Sequence, residues 1–221
     1  MRTVKWIVAI ASAAFAIYQV VLPVYAFMPD IKERAIHLSL AFVLIFLGGS
    51  GRSRKRWFFD SSLTVLGIIL CLYAFFNYSD IMEQYGIPKG HLQVLMGFLL
   101  VALILEAARR AVRPALPLIA LATLLYALFG HLIPGYFGHP PYSLSTLGGM
   151  FYLTTGGIWG QLLGVSANTI AIFVFLGSFI VYSGGGAGFM KISLRLAGRY
   201  VGGPAKVAVV SSALFGSVSG S

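Results

Sequence analysis

The sequence predicts an all-α integral membrane protein: a polytopic helical bundle of about six to seven spans, with an amphipathic interfacial helix and the start of a re-entrant hairpin. Of its 221 residues, 58% are hydrophobic and 10% are charged, whereas a soluble domain carries about 25% charged residues. The apolar residues form separate runs, several of them near the length of about 20 that a helix needs to cross a bilayer. The basic residues gather between alternate runs.

Five candidate spans come first along the chain. We expect helices over Trp6–Met28, Ala35–Gly49, Trp57–Tyr78, His91–Ala108 and Ala115–Ile133. The stretch HLIPGYFGHPPYS comes next and begins within the end of the last span. We expect turns there, because Pro and Gly recur in quick succession. The next apolar run, 144–183, is too long for one span. We therefore expect a short or broken helix to about Gly164, and then a span from about Val165 to Ser183.

Three glycines at spacings of four mark this broken segment. Gly156, Gly160 and Gly164 would leave one helix face bare of side chains, which permits close backbone packing between helices.

Ionisable side chains are scarce within the spans. Asp60 and Glu106 fall near cytoplasmic ends, and a pair between Glu106 and Arg110, four residues later, would stabilise its helix.

The basic residues predict the orientation of the chain. With the N-terminus in the cytoplasm, 13 Lys and Arg residues fall in inner segments, whereas Lys32, Arg34 and Lys89 fall outside. Cytoplasmic loops of membrane proteins hold such an excess. The net charge of +10 is thus an orientation signal, and the lipid bilayer rather than a nucleic acid is the expected partner. All four histidines fall on or near the outer side.

The segment after residue 183 predicts an interfacial helix. GGGAG, 184–188, is expected to end the preceding span. In FMKISLRLAGRY, basic residues recur every four positions opposite an apolar face, which indicates a basic amphipathic helix at the cytoplasmic interface. GGP, 202–204, then turns the chain, and Pro204 suits the start of another helix.

The last segment predicts a helix that enters the membrane from the cytoplasm and stops partway. The apolar residues Ala205–Phe215 give way to GSVSGS, and backbone that leaves helical form at that depth must be buried or line a water-filled cavity. Its hydroxyls and carbonyls would suit a cation such as Na⁺. The candidate ion- and substrate-binding residues are Gly216, Ser217, Ser219, Gly220 and Ser221, and the candidate Na⁺ ligands are Ser219, Gly220 and Ser221. The alternative is a packing patch in an ordinary span.

The sequence disfavours other functions that membrane proteins commonly have. The spans hold no chain of acids for a proton relay and no Arg-rich voltage sensor. An intramembrane serine protease is disfavoured, because the first Gly of its G-x-S-G motif is absent before Gly220 and the histidines fall towards the opposite face. We therefore expect no enzyme and no cofactor apart from Na⁺ as a coupling ion.

The C-terminal residues resemble a known family. GGPAKVAVVSSALFGSVSGS, preceded by GIWGQLLGVSANTIAIFVFLGSFIVYSGGGAGFMKISLRLAGRYV, is similar to the large membrane subunit of the TRAP (tripartite ATP-independent periplasmic) transporters. Residues 1–114 resemble, by number and position of spans, the small four-helix subunit fused to its front. Residues 115–221 would then be the N-terminal part of the transport domain, and the chain would be the first part of a fused permease of the TAXI type.

The resemblance implies a sodium-driven importer of an organic acid in the bacterial inner membrane. A periplasmic binding protein, of TAXI type in such fused permeases, would deliver the substrate. Ser219, Gly220 and Ser221 match the tip of the family's first helical hairpin, where sodium and substrate contacts lie. The rest of the large subunit would complete the site, so we expect that these 221 residues alone do not transport. The alternative is a non-transporting structural or assembly subunit.

Overall fold

The computed structural model describes residues 2–25, 28–48, 53–112 and 114–219, which are mostly helical and include no strand. The all-α prediction is therefore confirmed for the described chain. The helices are α1 (Arg2–Tyr25), α2 (Asp30–Leu47), α3 (Arg54–Phe76), α4 (Tyr78–Glu83), α5 (His91–Ala111), α6 (Ala115–Phe129), α7 (Leu144–Leu153), α8 (Gln161–Val165), α9 (Ala171–Tyr182), α10 (Gly185–Ala197) and α11 (Gly203–Ser219). A 3₁₀ turn, Gly130–Leu132, follows α6, and a π-helical turn, Ser166–Ile170, joins α8 to α9.

Four helical stretches of the described chain are long and apolar enough to cross a bilayer. They are Arg54–Phe76, His91–Ala111, Ala115–Leu132 and Gln161–Tyr182. Shorter apolar helices cover Trp6–Val21, Leu144–Leu153 and Gly203–Val218. These lengths and compositions are those of a multi-pass membrane protein. The total of six to seven spans stays a prediction.

The chain divides into two compact units. Unit 1 comprises Met1–Ile17 and Ala26–Gly164, and unit 2 comprises Tyr18–Tyr25 and Val165–Ser221. The sequence-based division into a scaffold domain, 1–114, and the N-terminal part of a transport domain, 115–221, follows the resemblance to two subunits and remains a prediction. The compact units divide later, because α7 and the turns after it pack into the core of the first helices.

The core of unit 1 is built where α2 lies against α3. Phe42 and Phe46 of α2 are buried, and their rings stack with centroids 5.6 Å apart. Gly67 of α3 lies directly against the Phe42 ring, since a Cβ added there would be 2.5 Å from Cδ2 of Phe42. The absence of a side chain at Gly67 thus sets the distance between the two helices.

A second close approach brings α5 against α7. A Cβ added at Gly97 would lie 2.6 Å from the carbonyl oxygen of Gly148, and one at Gly148 would lie 2.9 Å from Cα of Val94. The two backbones are therefore nearly in contact, as small residues at a helix crossing permit.

The predicted break in the run 144–183 comes earlier than expected. Helix α7 ends at Leu153, and turns over 154–160 separate it from α8. Trp159, which is fully buried, donates from Nε1 to the carbonyl of Tyr152 at 2.7 Å, and the Tyr152 hydroxyl donates to the carbonyl of Leu70 on α3. These contacts hold the turns in the core of unit 1 and interrupt the helix before Gly164.

The prediction of one bare face formed by Gly156, Gly160 and Gly164 is wrong. Gly156 and Gly160 lie in the turns, and only Gly164 lies in a helix, α8. Spacings of four place residues on one face only where the helix is continuous, and the buried Trp159 fixes non-helical turns here. The close helix contact belongs instead to Gly97 and Gly148.

Candidate ion and substrate site

The glycine-rich stretch 184–188 ends one helix and starts the next. Gly184 has φ +85°, a left-handed conformation that glycine adopts without steric cost. The N–H of Ser183 donates to the carbonyl of Phe179 at 2.9 Å, and the N–H of Gly184 donates to that of Val181 at 3.2 Å. These bonds close the last turn of α9. The prediction that GGGAG terminates the span is confirmed.

Helix α10 has one buried side and one basic side. Ser193 and Ala197 are buried, whereas Lys191 and Arg195 are exposed. At 100° per residue, these two pairs lie on opposite faces of the helix. The Ser193 hydroxyl donates to the Phe189 carbonyl at 2.8 Å, so no buried polar group is left unpaired there. The amphipathic helix is confirmed, and its place at the membrane interface stays a prediction.

A tight turn leads from α10 into α11. Gly202 has φ +74°, and its carbonyl accepts from the N–H groups of Ala205 and Lys206 at 3.1 and 3.2 Å. Pro204 occupies the second position of α11, where its missing N–H costs nothing. The predicted turn and helix start are both present.

Helix α11 continues farther than the sequence predicts. It runs from Gly203 to Ser219, through Gly216 and Ser217, so the expectation that helical form ends after Phe215 is wrong. The Phe215 ring packs edge-on against Phe189 of α10 with centroids 5.2 Å apart. An aromatic pair of this kind contributes about 0.5–1.5 kcal/mol, which is comparable with the cost of about 1 kcal/mol for a glycine inside a helix.

The structure brings three of the predicted site residues onto the final turn of α11. Ser217 is exposed, and its hydroxyl donates to the carbonyl of Leu214 at 2.8 Å. That bond fixes the hydroxyl and leaves its lone pairs able to accept. Gly216 is half-buried, and Ser219 is the last residue of the helix. Gly220 and Ser221 lie outside the described residues, so the predicted turn itself is untested.

Beside this turn lies a cavity of about 420 Å³ within unit 2. This volume lies within the range of small-molecule sites, about 300–1,000 Å³. Its wall is mainly apolar and holds no charged side chain. The lining residues are Val174, Gly177, Ser178, Ile180, Val181, Tyr182, Phe189, Phe215 and Val218. Such a wall can contact the carbon part of a ligand but offers few oxygens to a cation.

A charged cluster in unit 1 joins α3 to α5. Arg110 donates to Glu106 at 2.6 Å, which confirms the predicted pair four residues apart. It also bridges to Asp60, whose side chain is 5% exposed, and its guanidinium lies 4.9 Å from the Phe46 ring centroid. The sequence placed Asp60 near a helix end but gave no sign of its partner, 50 residues away.

Arg34 makes a second connection that the sequence did not reveal. Its guanidinium donates to the backbone carbonyl of Trp159 and binds Asp30 at 2.6 Å, and its side chain is 12% exposed. A Cβ added at Gly164 would lie 2.7 Å from this guanidinium. Arg34 thus holds the turns between α7 and α8 against the start of α2. Charge counting marked it only as an outer residue.

Neither cluster is a metal centre. Within the described ranges, no three His, Cys, Asp or Glu side chains lie close enough together to bind a metal ion.

Comparison with protein families identifies the family of the chain. Residues 99–221, more than half of the sequence, match the family model described as "Tripartite ATP-independent periplasmic transporter, DctM component". No curated protein matches, and no solved structure matches. The matched region contains α6 to α11 and most of α5. The chain therefore belongs to the DctM component family of the tripartite ATP-independent periplasmic transporters.

Proposed function

We propose that this chain forms part of a sodium-driven permease that imports an organic acid delivered by a periplasmic binding protein of TAXI type. The observation that carries the proposal is the family match over 99–221, which extends through α11 and the predicted site residues. A DctM component of a TRAP transporter works with a periplasmic binding protein and other subunits. The coupling ion, the substrate class and the type of binding protein belong to the proposal.

The same family and the charge distribution support the proposed location. We place the protein in the bacterial inner membrane with its N-terminus in the cytoplasm, as the 13 inner basic residues favour. In this orientation α11 enters from the cytoplasmic side. Its 17 residues extend about 25 Å, less than the hydrocarbon thickness of about 30 Å. The final turn of α11 would therefore lie within the membrane.

The end of α11 offers the right chemistry for Na⁺. Where α11 ends at the proposed turn of Ser219, Gly220 and Ser221, the carbonyls of its last turn have no partner within the helix, and that end carries a partial negative charge. Ser217 adds a hydroxyl oxygen whose position its bond to Leu214 fixes. The neighbouring apolar cavity would contact the carbon part of an organic acid. Ser219, Gly220 and Ser221 remain the proposed ligands from the adjoining turn.

Transport in proteoliposomes tests the proposal. The permease that carries these residues is reconstituted with its binding protein, and uptake of [¹⁴C]succinate and [¹⁴C]2-oxoglutarate is measured with and without an inward Na⁺ gradient. We expect uptake only with Na⁺, accompanied by entry of ²²Na⁺. Uptake that is equal without Na⁺ would contradict sodium coupling. If proteoliposomes prepared without this chain still took up the substrate with Na⁺, the alternative, a structural or assembly subunit, would be favoured.

A pair of serine variants localises the ion site. Ser217→Ala removes a hydroxyl at the end of α11, and we expect the Na⁺ concentration for half-maximal uptake to rise about fivefold, the effect of losing one interaction of about 1 kcal/mol. Ser183→Ala is the matched control, because that serine is also exposed at a helix end and donates three residues back, to Ile180 at 3.1 Å. The same Na⁺ dependence in both variants would place the ion elsewhere.

A further inference from the structure

The basic residues of unit 2 have no acidic partner in their own unit. Residues 165–221 contain no Asp or Glu, yet they hold Lys191, Arg195, Arg199 and Lys206. All four side chains are exposed, and none forms a salt bridge within the described part of the chain. Their charges are therefore not neutralised by the unit that carries them, and an anion from outside can bind them.

Two of these residues form a stripe on α10. Lys191 and Arg195 are four positions apart and lie on the face of α10 opposite the buried Ser193 and Ala197. The stripe thus faces away from the packing between α10 and α11. Arg199 follows in the turn after the end of α10 at Ala197.

After the end of α10, two cations lie beside the same aromatic ring. We call these three residues, Arg199, Tyr200 and Lys206, the basic corner. The guanidinium of Arg199 lies 5.3 Å from the Tyr200 ring centroid, and Nζ of Lys206 lies 5.5 Å from the same centroid. Two like charges beside one ring repel each other, and a bound anion offsets that repulsion. Guanidinium, ammonium and phenol are all donors to a phosphate.

Exposed apolar side chains border the basic residues. Val201, beside the basic corner, is 96% exposed, and Leu196, next to Arg195, is 59% exposed. A soluble anion gains nothing from this surface, whereas a phospholipid places acyl chains directly beneath its phosphate. Tyr200, half exposed, has the ring and hydroxyl that favour the interface between lipid and water.

We propose that the stripe and the basic corner bind anionic phospholipid headgroups of the inner leaflet, with one headgroup phosphate held between Arg199 and Lys206. The lipid would keep the turn between α10 and α11 at the membrane surface. Binding of anionic lipid is a role separate from sodium coupling and substrate import, and it requires neither of them. It needs only that α10 lies at the leaflet that is rich in anionic lipid.

Native mass spectrometry of the permease that carries this chain tests the proposal. Purified protein in detergent is titrated with phosphatidylglycerol and, in parallel, with phosphatidylcholine of the same acyl chains. We expect tighter binding of phosphatidylglycerol. Each charge removed should weaken it about fivefold, because a basic residue near an anionic surface contributes about that factor. Arg199→Gln with Lys206→Gln should therefore lose about 25-fold.

The controls separate the site from charge in general and from soluble anions. Lys89→Gln removes one charge from an exposed residue of unit 1 and should leave the phosphatidylglycerol affinity unchanged. Arg199→Lys keeps the charge and should lose less than Arg199→Gln. Circular dichroism spectra must match the parent protein, since all of these side chains are exposed. Equal binding of both lipids, equal loss in Lys89→Gln and Lys206→Gln, or displacement of phosphatidylglycerol by millimolar inorganic phosphate would each overturn the proposal.

Discussion

The contact between Gly67 and Phe42 gives the sharpest quantitative prediction for the scaffold. In Gly67→Ala, the new Cβ would lie 2.5 and 3.0 Å from two carbons of the Phe42 ring, whereas ordinary contacts between carbons are about 3.5–4.0 Å. Phe42 is 1% exposed and stacks on Phe46, so its ring has no free space to enter. Overpacking of this kind costs about 1–3 kcal/mol.

Alanine has a higher helix propensity than glycine, so the stability of Gly67→Ala combines this gain with the cost of the collision. A double-mutant cycle with Phe42 removes the propensity contribution, because it is the same in both Gly67→Ala backgrounds. Alanine in place of glycine inside a helix stabilises by about 1 kcal/mol, so Gly67→Ala alone should destabilise by a net 0 to about 2 kcal/mol. Phe42→Leu removes the colliding ring atoms. The double variant should therefore be more stable than the sum of the two single effects predicts, by about 1–2 kcal/mol, since residues in contact couple on this scale.

The single cysteine supplies the assay. Cys71 is fully buried in the same core, one helical turn after Gly67, so a thiol-reactive dye reports the temperature at which the core opens in detergent. For a chain of this size, the coupling corresponds to roughly 2–8 °C in the midpoint. Gly97→Ala combined with Phe42→Leu is the control and should be additive, because the methyl at Gly97 meets the Gly148 carbonyl instead. Additivity in the Gly67 cycle within about 0.5 kcal/mol would refute the reasoning.

Two further predictions concern charged groups. Arg110→Gln removes the cation that bridges a buried carboxylate on α3 to α5 and should destabilise unit 1 by about 3 kcal/mol in the same thiol assay. Arg109→Gln, at a side chain that is 59% exposed, should leave the stability of unit 1 nearly unchanged. At His139, bonds to the carbonyls of Pro140 (2.7 Å) and Tyr126 (3.0 Å) raise the pKa above 6.5, because the protonated ring can donate from both nitrogens. Its stabilising contribution should therefore be complete below pH 6.5 and disappear as the pH rises through the higher folded-state pKa. Protease cleavage of the connection between α6 and α7 should increase over that interval, and in His139→Gln the cleavage rate should not change across it.

The sequence was informative where composition alone decides the structure. Helices α5 and α6 begin at His91 and Ala115, the positions predicted from the apolar runs. The glycine-rich stretch after α9 ends a helix because Gly184 adopts a positive φ, and that preference is local. Helix type, several boundaries and the amphipathic character of α10 could therefore be predicted without tertiary information.

Contacts between distant residues could not be predicted in this way. Nothing in the local pattern says that Gly97 meets Gly148, or that Arg34 reaches the carbonyl of Trp159, 125 residues later. The glycines of the run 144–183 predict a short or broken helix to about Gly164, but they do not say where the break falls. The burial of Trp159 decides otherwise, since its ring and its hydrogen bond to Tyr152 are satisfied only with the chain turned.

The extension of α11 to Ser219 changes what the ion site would consist of. An unwound segment after Phe215 would present several hydroxyls and carbonyls from a loop, whereas a helix that ends at the proposed turn would present the carbonyls of its last turn along one direction. Most of the Na⁺ affinity would then come from backbone oxygens that no side-chain substitution removes. This is why Ser217→Ala should shift the Na⁺ dependence about fivefold rather than abolish uptake. Complete loss of sodium-dependent uptake in a correctly folded Ser217→Ala permease would instead make the hydroxyl the principal ligand, and the role proposed for the helix end would fail.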